Sequence, residues 1–182
     1  MLKPSDKWTW FYDNTSSCLM LDLGDELLFR ANLASRWLVD YAFQNNQFTV
    51  DDASAFQSYR ERLSELPITP YRQEELALYC VAAKRFHKPV QPKSWFFEAQ
   101  GYDAPHQDGD VVILKSAYQA GHFIVVEAGE SASLLCYVDI EPMTLTDSKS
   151  MKFGDFIKVM HDRIAPANFG SLDLCLPMAM VG

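Results

Sequence analysis

The sequence lacks the long apolar runs of membrane-spanning and secreted proteins and the cysteine pairs of metal-binding or redox motifs. No stretch of 18 consecutive apolar residues occurs in its 182 residues, and the first ten residues lack the apolar run of a signal peptide. Four cysteines are scattered without a CxxC pair, each among apolar neighbours: Cys18, Cys80, Cys136 and Cys175. We therefore expect a cytoplasmic protein whose cysteines pack as small hydrophobic side chains.

Catalytic and metal-binding motifs are also absent. The sequence contains no GxxxxGK[ST], GxGxxG, GxSxG or HExxH motif, and its four histidines do not occur at metal-ligand spacing from cysteine or aspartate. His161 precedes Asp162, but adjacent residues on a helix point in different directions. The sequence thus predicts no enzyme, no cofactor and no metal site. The alternative is a ligand-binding or enzymatic protein that uses a barrel pocket near His122 or His161.

Basic residues are in the minority. The 16 Lys and Arg residues against 24 Asp and Glu give a formal net charge of −8. A general nucleic-acid-binding domain is basic, so we expect no nucleic-acid partner, and no membrane partner. Single-stranded nucleic acid could still stack on Trp95 and Phe96, but the negative charge elsewhere would repel phosphate.

The segment from residue 69 to residue 97 carries the clearest pattern. Thr69 and Pro70 indicate a helix start, and residues 76–83 contain no charge, so this helix is apolar on nearly all sides. A helix of that kind is typically buried between two other layers. We predict that it ends at Lys88, because Pro89 disfavours a helical residue before it.

Cations are concentrated at the end of this helix. Four of them fall within ten residues: Lys84, Arg85, Lys88 and Lys93. On an acidic protein such a cluster indicates a surface for an anionic partner, although cations also stabilise the C-terminal end of a helix. An exposed ion pair contributes only ~0.2–1 kcal/mol, so an apolar anchor must supply much of the affinity. The predicted partner segment has acidic residues around a hydrophobic side chain.

The pattern along the chain predicts an α+β protein of two small domains. Residues 1–92 read as an α/β domain, with an antiparallel meander of strands at 7–12, 19–23 and 26–30 and then helices. Residues 93–170 read as a small barrel or sandwich of short strands, the first at 94–99, and residues 171–182 as a tail.

Two short helices are also predicted, one in each domain. Asn32 is the expected cap of a short helix over residues 33–39. A second short helix, capped near Asp155, would bring Lys158 and Arg163 to the basic cluster if it packs at the domain junction.

Several motifs, in order and spacing, resemble the ZapC family of FtsZ-ring-associated cell-division proteins of gammaproteobacteria. They are KP–D–W–W at 3–10, LMLDL at 19–23, LFR at 28–30, VDDA at 50–53, KP–PKSW at 88–95, VVE–GE at 125–130 and GD–IK–M–DR at 154–163. The resemblance implies a non-catalytic cytosolic protein at the division site that binds FtsZ directly and bundles its protofilaments. It also implies an α/β domain followed by a twisted, β-barrel-like domain.

The same resemblance implies a partner-binding surface at matched positions. Lys88, Lys93 and Arg163 match the family's basic surface, and Arg85 matches a further basic position. Leu21 lies in the matched LMLDL strand, where it lines an apolar pocket or packs as a core leucine. The implied contact is the acidic and apolar C-terminal tail of FtsZ, its polymer, or both. Bundling needs a monomer with two sites or self-association, and the sequence does not decide between them.

Overall fold

The structure, a computed structural model, describes residues 1–167. Within that range, two α-helices and eleven strands form an N-terminal and a C-terminal domain with antiparallel sheets, which confirms the α+β prediction. The predicted tail at 171–182, together with Cys175, lies outside the described residues.

A four-stranded sheet begins the N-terminal domain. Its strands, in the order β3-β2-β1-β4, are β1 (Thr9–Asp13), β2 (Cys18–Asp22), β3 (Leu28–Arg30) and β4 (Asn46–Gln47). The first three form the predicted meander. Gly24, in the turn before β3, has φ +81°. Trp8 and Trp10 are buried beside Phe48, with ring centroids at 5.0 and 6.0 Å from it, so the aromatic start of the chain forms core.

Two capped helices follow this sheet. They are α1 (Val50–Leu63) and α2 (Pro70–Phe86). Thr49 and Asp52 form a capping box at the start of α1, where each backbone N–H donates to the side chain of the other residue at 3.1 Å. Thr69 caps α2 as predicted, since its hydroxyl accepts from the Arg72 N–H at 3.3 Å.

The C-terminal end of α2 comes earlier than the predicted Lys88. The Val39 N–H donates to the Phe86 carbonyl at 2.8 Å, and the Lys88 N–H donates to the Trp37 carbonyl at 2.7 Å. These bonds to residues 37–39 replace the next helical turn. The helix therefore ends at Phe86, before Pro89 can act on it.

α2 is buried between the sheets of the two domains, as its apolar sequence predicts. On one side Phe86 packs edge-to-face with Trp10 at 5.5 Å. On the other side the same core cluster includes Val126 and Cys136, from the C-terminal sheet. Cys80 of α2 and Cys136 are both fully buried free thiols, and burial raises the pKa of the Cys136 thiol. The two domains thus share one hydrophobic core around α2.

The C-terminal domain contains a five-stranded antiparallel sheet in the order β10-β7-β6-β5-β11. Its strands are β5 (Val111–Lys115), β6 (Ala120–Ala128), β7 (Ala132–Tyr137), β10 (Phe156–Met160) and β11 (Ala165–Pro166). A separate two-stranded hairpin joins β8 (Met143–Thr144) to β9 (Ser150–Met151). Successive residues of β6 alternate between the shared core and a second core inside this domain, so both faces of the sheet are covered.

The two edge strands of this sheet, β10 and β11, are consecutive in the chain. Only residues 161–164 separate them, so the end of one edge lies no more than about 19 Å from the start of the other. A flat five-stranded sheet is itself about 19 Å wide, and the 3-10 turn at His161–Arg163 shortens the connection, so the sheet curls to bring its edges together. This connection agrees with the twisted, barrel-like form that the resemblance implied.

The helix predicted from Asp155 to Ile164 is wrong. Residues 156–160 form β10, which pairs with β7 from Phe156–Cys136 to Met160–Ala132. Ile157 and Val159 point into the second core, so the segment alternates with the period of a strand. A single 3-10 turn at His161–Arg163 follows it.

Two other predicted elements are also wrong. The run at 94–99 is not a strand: it begins with a 3-10 turn at Ser94–Phe96, and single backbone bonds hold it on either side, from the Lys93 N–H to the Lys158 carbonyl at 2.8 Å and from the Glu98 N–H to the Lys115 carbonyl at 2.7 Å. Asn32 caps no helix, because its side-chain amide donates to the Gly154 carbonyl of the other domain. Only a 3-10 turn at Ser35–Trp37 follows it.

The connection between the domains runs through residues 88–93. The predicted boundary between residues 92 and 93 lies in this connection and remains a prediction of the sequence.

In residues 1–167 no helix is both long enough and apolar enough to cross a bilayer.

Candidate partner-binding groove

A groove of about 640 Å³ lies where the two domains meet. The N-terminal domain contributes residues 32–34, 36 and 37 and His87, and the C-terminal domain contributes Phe96, the β8–β9 hairpin and β10. We call it the junction groove. Its apolar lining includes Trp37, Phe96, Leu134 and Phe156.

Cations surround this apolar lining. Five line the groove, with one carboxylate, that of Asp155: they are Arg36, Lys93, Lys149, Lys152 and Lys158. Within the described part of the chain, none of the five forms an ion pair. The groove is therefore a positive surface on a protein of net charge −8.

Two of these cations stand directly over aromatic rings. The Arg36 guanidinium lies 5.2 Å from the ring centroid of Trp37, and the Lys149 ammonium lies 5.5 Å from that of Phe96. Such contacts leave the charge available to an anion while the ring faces remain near the groove. A segment that carries both carboxylates and apolar side chains fits this interleaved surface.

His87 forms part of the groove between the domains. Its ring stacks on Trp37 at 6.2 Å and meets Phe156 edge-to-face at 6.0 Å. Its Nδ1 lies 2.6 Å from the Lys88 carbonyl, which can only accept, so Nδ1 carries the proton in the neutral ring. Burial lowers the pKa of His87 below its ordinary value, and the charge of Lys158 lowers it further.

The structure places Lys93 in the lining of this groove and Lys88 next to it. Lys93 lines the groove and is exposed. Lys88 is exposed immediately after His87, and its backbone bond to Trp37 holds it beside the groove. Lys158, which the sequence assigned to a helix, lines the groove from strand β10 instead.

Arg85 points elsewhere and is engaged within the N-terminal domain. Its guanidinium pairs with Asp52 at 2.6 Å and donates to the Gln47 carbonyl at 2.7 Å. Lys84, another of the four clustered cations, pairs with Asp108 at 3.0 Å. Two of the four clustered cations therefore tie structural elements together and do not line the groove.

Arg163 also has partners within the protein. Its Nε donates to the Phe97 carbonyl at 3.0 Å and to the Ser94 carbonyl at 3.3 Å, and its Nη1 pairs with Asp162 at 2.6 Å. Leu21 is fully buried in the sheet of the N-terminal domain, where its Cα pairs with Trp10 and Phe29. Of the two roles left open for Leu21, this is the position of a core leucine.

Three cations that line the groove were not among the partner-binding residues predicted from the sequence. Arg36, Lys149 and Lys152 lie in segments far from the basic cluster in sequence. Lys149 and Lys152 flank β9, so the β8–β9 hairpin carries them to the groove. The only sequence signal was the local spacing of Lys149 and Lys152, which does not reveal where the hairpin folds.

The histidines of the enzymatic alternative have different partners. His161 Nε2 lies 3.0 Å from the Ser133 hydroxyl, which also contacts His106 Nε2 at 2.7 Å. Burial and the neighbouring His106 lower the pKa of His161. Ser133 is fully buried, so its hydroxyl cannot reach a substrate. His122 instead pairs with Asp139 at 3.2 Å.

Metal-binding chemistry finds no support in the described residues. No group of three or more His, Cys, Asp or Glu side chains within residues 1–167 could hold a metal ion. The fold and the groove define a two-domain α+β protein with a positive groove, lined by aromatic rings, where the domains meet.

Comparisons with known proteins identify the family. The family model described as "Cell-division protein ZapC, N-terminal" matches residues 1–88, and "Cell-division protein ZapC, C-terminal" matches residues 89–169. The proteins named "Cell division protein ZapC" from Vibrio vulnificus and Photobacterium profundum are 56% and 44% identical over the full length of both chains. That of Vibrio cholerae is 54% identical over 92% of this chain and 93% of its own. The chain therefore belongs to the ZapC family of cell-division proteins.

Proposed function

We propose that this protein is a non-catalytic cytoplasmic component of the division site that binds FtsZ directly and bundles its protofilaments. The observation that carries the proposal is the junction groove, in which five cations without ion-pair partners in residues 1–167 surround aromatic rings. The FtsZ contact is the C-terminal tail, the polymer surface, or both. No nucleic acid or membrane takes part.

The energetics favour a partner segment that is both acidic and apolar. Each exposed ion pair is worth ~0.2–1 kcal/mol, so even five fall short of the about 8 kcal/mol of a micromolar complex. Burial of an apolar side chain against Phe96, Phe156 and Trp37 supplies the remainder at ~25 cal/mol per Å². The partner therefore inserts an apolar side chain between the rings while its carboxylates meet the lysines.

Bundling requires the protein to hold two filaments. A second apolar surface supports a monomer with two sites: Leu27 and Leu28, at the edge strand β3, and Tyr71 are all more than half exposed. They line a cavity of about 340 Å³ on the N-terminal domain. Many copies of FtsZ along a filament raise the effective concentration, so two weak sites suffice for cross-linking.

Co-sedimentation with FtsZ polymers tests the groove. We expect Lys88→Glu with Lys93→Glu to abolish co-sedimentation, because charge reversal at Lys93 in the groove and at Lys88 beside it removes most of the excess positive charge that attracts carboxylates. The matched control is Lys7→Glu with Lys115→Glu, which changes the net charge equally at exposed lysines outside the groove lining. We expect this control to bind as the wild type does, and a circular dichroism spectrum confirms that both variants are folded.

A fluorescent peptide of the FtsZ tail separates the two contact modes. Saturable binding that weakens with salt and disappears in Lys88→Glu assigns the groove to the tail. Binding to intact polymer alone assigns it to the globular part of FtsZ. An unchanged affinity in the folded groove variant refutes the groove as the FtsZ site, and competition by a single-stranded oligonucleotide would favour nucleic acid instead.

A further inference from the structure

An exposed tryptophan stands at the margin of the junction groove. Trp95 has 70% of its side chain exposed, whereas Trp8 and Trp10 are buried. A tryptophan that becomes buried at an interface removes roughly 150–250 Å² from water. Trp95 follows Lys93 closely in sequence and precedes Phe96, both of which line the groove.

Trp95 is part of a continuous apolar surface. Its ring centroid lies 5.6 Å from that of Phe96, which continues inward to Phe97 and the second core. Met160, 38% exposed, lies alongside, because its N–H donates to the Ser94 hydroxyl at 2.8 Å. Single exposed apolar residues are common on protein surfaces, but an apolar strip that leads from solvent into a cation-rimmed groove is typical of a binding site.

The backbone that carries Trp95 is fixed on both sides. Before it, the Lys93 N–H donates to the Lys158 carbonyl at 2.8 Å. After it, the Glu98 N–H donates to the Lys115 carbonyl at 2.7 Å, and Phe97 packs edge-to-face on Phe123 at 6.1 Å. Because this backbone is already ordered, the segment loses little backbone freedom when a partner covers Trp95.

Arg163 also holds the backbone around Trp95 in place. Its single Nε–H is shared between the Ser94 and Phe97 carbonyls, the residues on either side of the Trp95–Phe96 pair. Its Nη1 is paired with Asp162, so a partner carboxylate would have to compete with an existing ion pair. The guanidinium is therefore placed to shape the 3-10 turn that presents Trp95.

We propose that Trp95 is the apolar anchor that contacts the acidic partner of the junction groove, and that Arg163 acts as a positioning residue for it. The proposal rests on the proposed function and names two residues for the same site. Charge complementarity identifies the occupant, since Lys93 and Lys158 line the groove that Phe96, the neighbour of Trp95, also lines. The partner's apolar side chains cover Trp95 while its carboxylates meet those lysines.

A double-mutant cycle measured as affinity for FtsZ polymers tests the proposal. We expect Trp95→Ala to weaken binding about tenfold or more, as truncation of an interface hot spot does, and Trp95→Phe to retain most of the affinity. Tyr102→Ala, at a residue 57% exposed that lines neither the junction groove nor the cavity near Tyr71, is the matched control for removing an exposed aromatic ring. It should leave the affinity for FtsZ polymers unchanged.

Arg163→Lys distinguishes positioning from direct contact. It keeps the charge but removes the planar group that bridges two carbonyls, so we expect about a threefold to tenfold loss of affinity. Because both changes act through one ring, Arg163→Lys should cost little more when Trp95 is already alanine. Full additivity, or no loss in Arg163→Lys, overturns the positioning role.

The outcomes distinguish a failure of the Trp95 proposal from a failure of the proposed function. If Lys88→Glu with Lys93→Glu abolishes binding while Trp95→Ala binds like the wild type, the anchor is refuted and the groove stands. If the wild-type protein does not bind FtsZ, the proposed function itself fails. Thermal melts of each variant show whether the fold is intact, which we expect for Trp95→Ala because the ring is mostly in solvent.

Discussion

The guanidinium of Arg85 and the carboxylate of Asp52 form an ion pair at 2.6 Å that joins α2 to α1. Asp52 is 6% exposed, accepts a bond from Trp10 Nε1 at 3.2 Å and also serves the capping box of α1. Arg85 therefore neutralises a buried carboxylate on which the sheet and both helices of the domain depend. Its role in the free protein is structural, although the resemblance implied a partner-binding role for it.

We expect Arg85→Ala to lower the free energy of unfolding by about 2–4 kcal/mol, because it leaves Asp52 buried without its counter-ion. Denaturant melts measure this. Lys84→Ala is the control: its pair with Asp108 is about 40% exposed at both ends, so the loss should be below ~1 kcal/mol. Comparable losses in the two variants would contradict the structural role of Arg85.

Leu21, like Arg85, is expected to stabilise the fold without contacting the partner. Its side chain is fully buried, so Leu21→Ala should cost about 2–5 kcal/mol of unfolding free energy through lost burial and a cavity. At a temperature where the variant stays folded, we expect unchanged affinity for FtsZ. Leu27→Ala, at a residue 52% exposed, should change stability by less than ~0.5 kcal/mol. A stable Leu21→Ala protein with weakened binding would reassign Leu21 to a partner pocket.

Gly154 lies at the contact between the domains and tolerates no side chain there. Its φ is +88°, and a Cβ would lie 2.9 Å from both the Asn32 amide nitrogen and the Tyr79 ring. We expect Gly154→Ala to destabilise the protein by about 2–4 kcal/mol, the sum of backbone strain and overpacking.

Gly101 is the matched control for that substitution. It has φ +86°, and an added Cβ would meet no atom within 4 Å, so Gly101→Ala should cost only the backbone strain, about 1 kcal/mol. Thermal unfolding of both variants gives the difference. Equal losses would show that the contact with Asn32 and Tyr79 adjusts freely.

His87 gives a prediction about pH. Because burial lowers its pKa in the folded protein, the unfolded chain binds more protons between that lowered pKa and about 6.5. Stability therefore rises with pH through that window. We expect His87→Gln to flatten the pH dependence there, measured as the free energy of unfolding from pH 5 to pH 8.

His122 should behave in the opposite sense. Its hydrogen bond with Asp139 raises its pKa, so its contribution to stability is fully present below about pH 6.5 and is lost as pH rises through the folded pKa. His122→Gln should therefore remove stability at low pH. The same sign for both variants would contradict the assigned environments.

The sequence by itself determined the elements whose signals are local. The capped, uncharged helix α2, the amphipathic α1 and the N-terminal meander could be predicted because Thr69, Pro70 and the spacing of apolar residues act within a few positions. The same holds for Lys88 and Lys93, whose exposure and charge follow from their polar, proline-rich surroundings. The α+β class followed from the order of these elements.

Only the tertiary structure decided the rest. The segment at 156–160 is a strand because β7 offers it a hydrogen-bonding edge and both cores accept its side chains, and short apolar runs fit either period. Arg85 and Arg163 lie in the same basic pattern as Lys93, but their long side chains reach Asp52 and the carbonyls of Ser94 and Phe97. Partners so far away in the sequence cannot be predicted from the neighbouring residues.

The junction groove is the clearest product of tertiary structure. Its cations come from residues as far apart as Arg36, Lys93 and Lys158. They meet because α2 is buried against both sheets, which fixes how the two domains face each other. The sequence predicted a positive, apolar surface, and long-range packing determined which side chains line the groove.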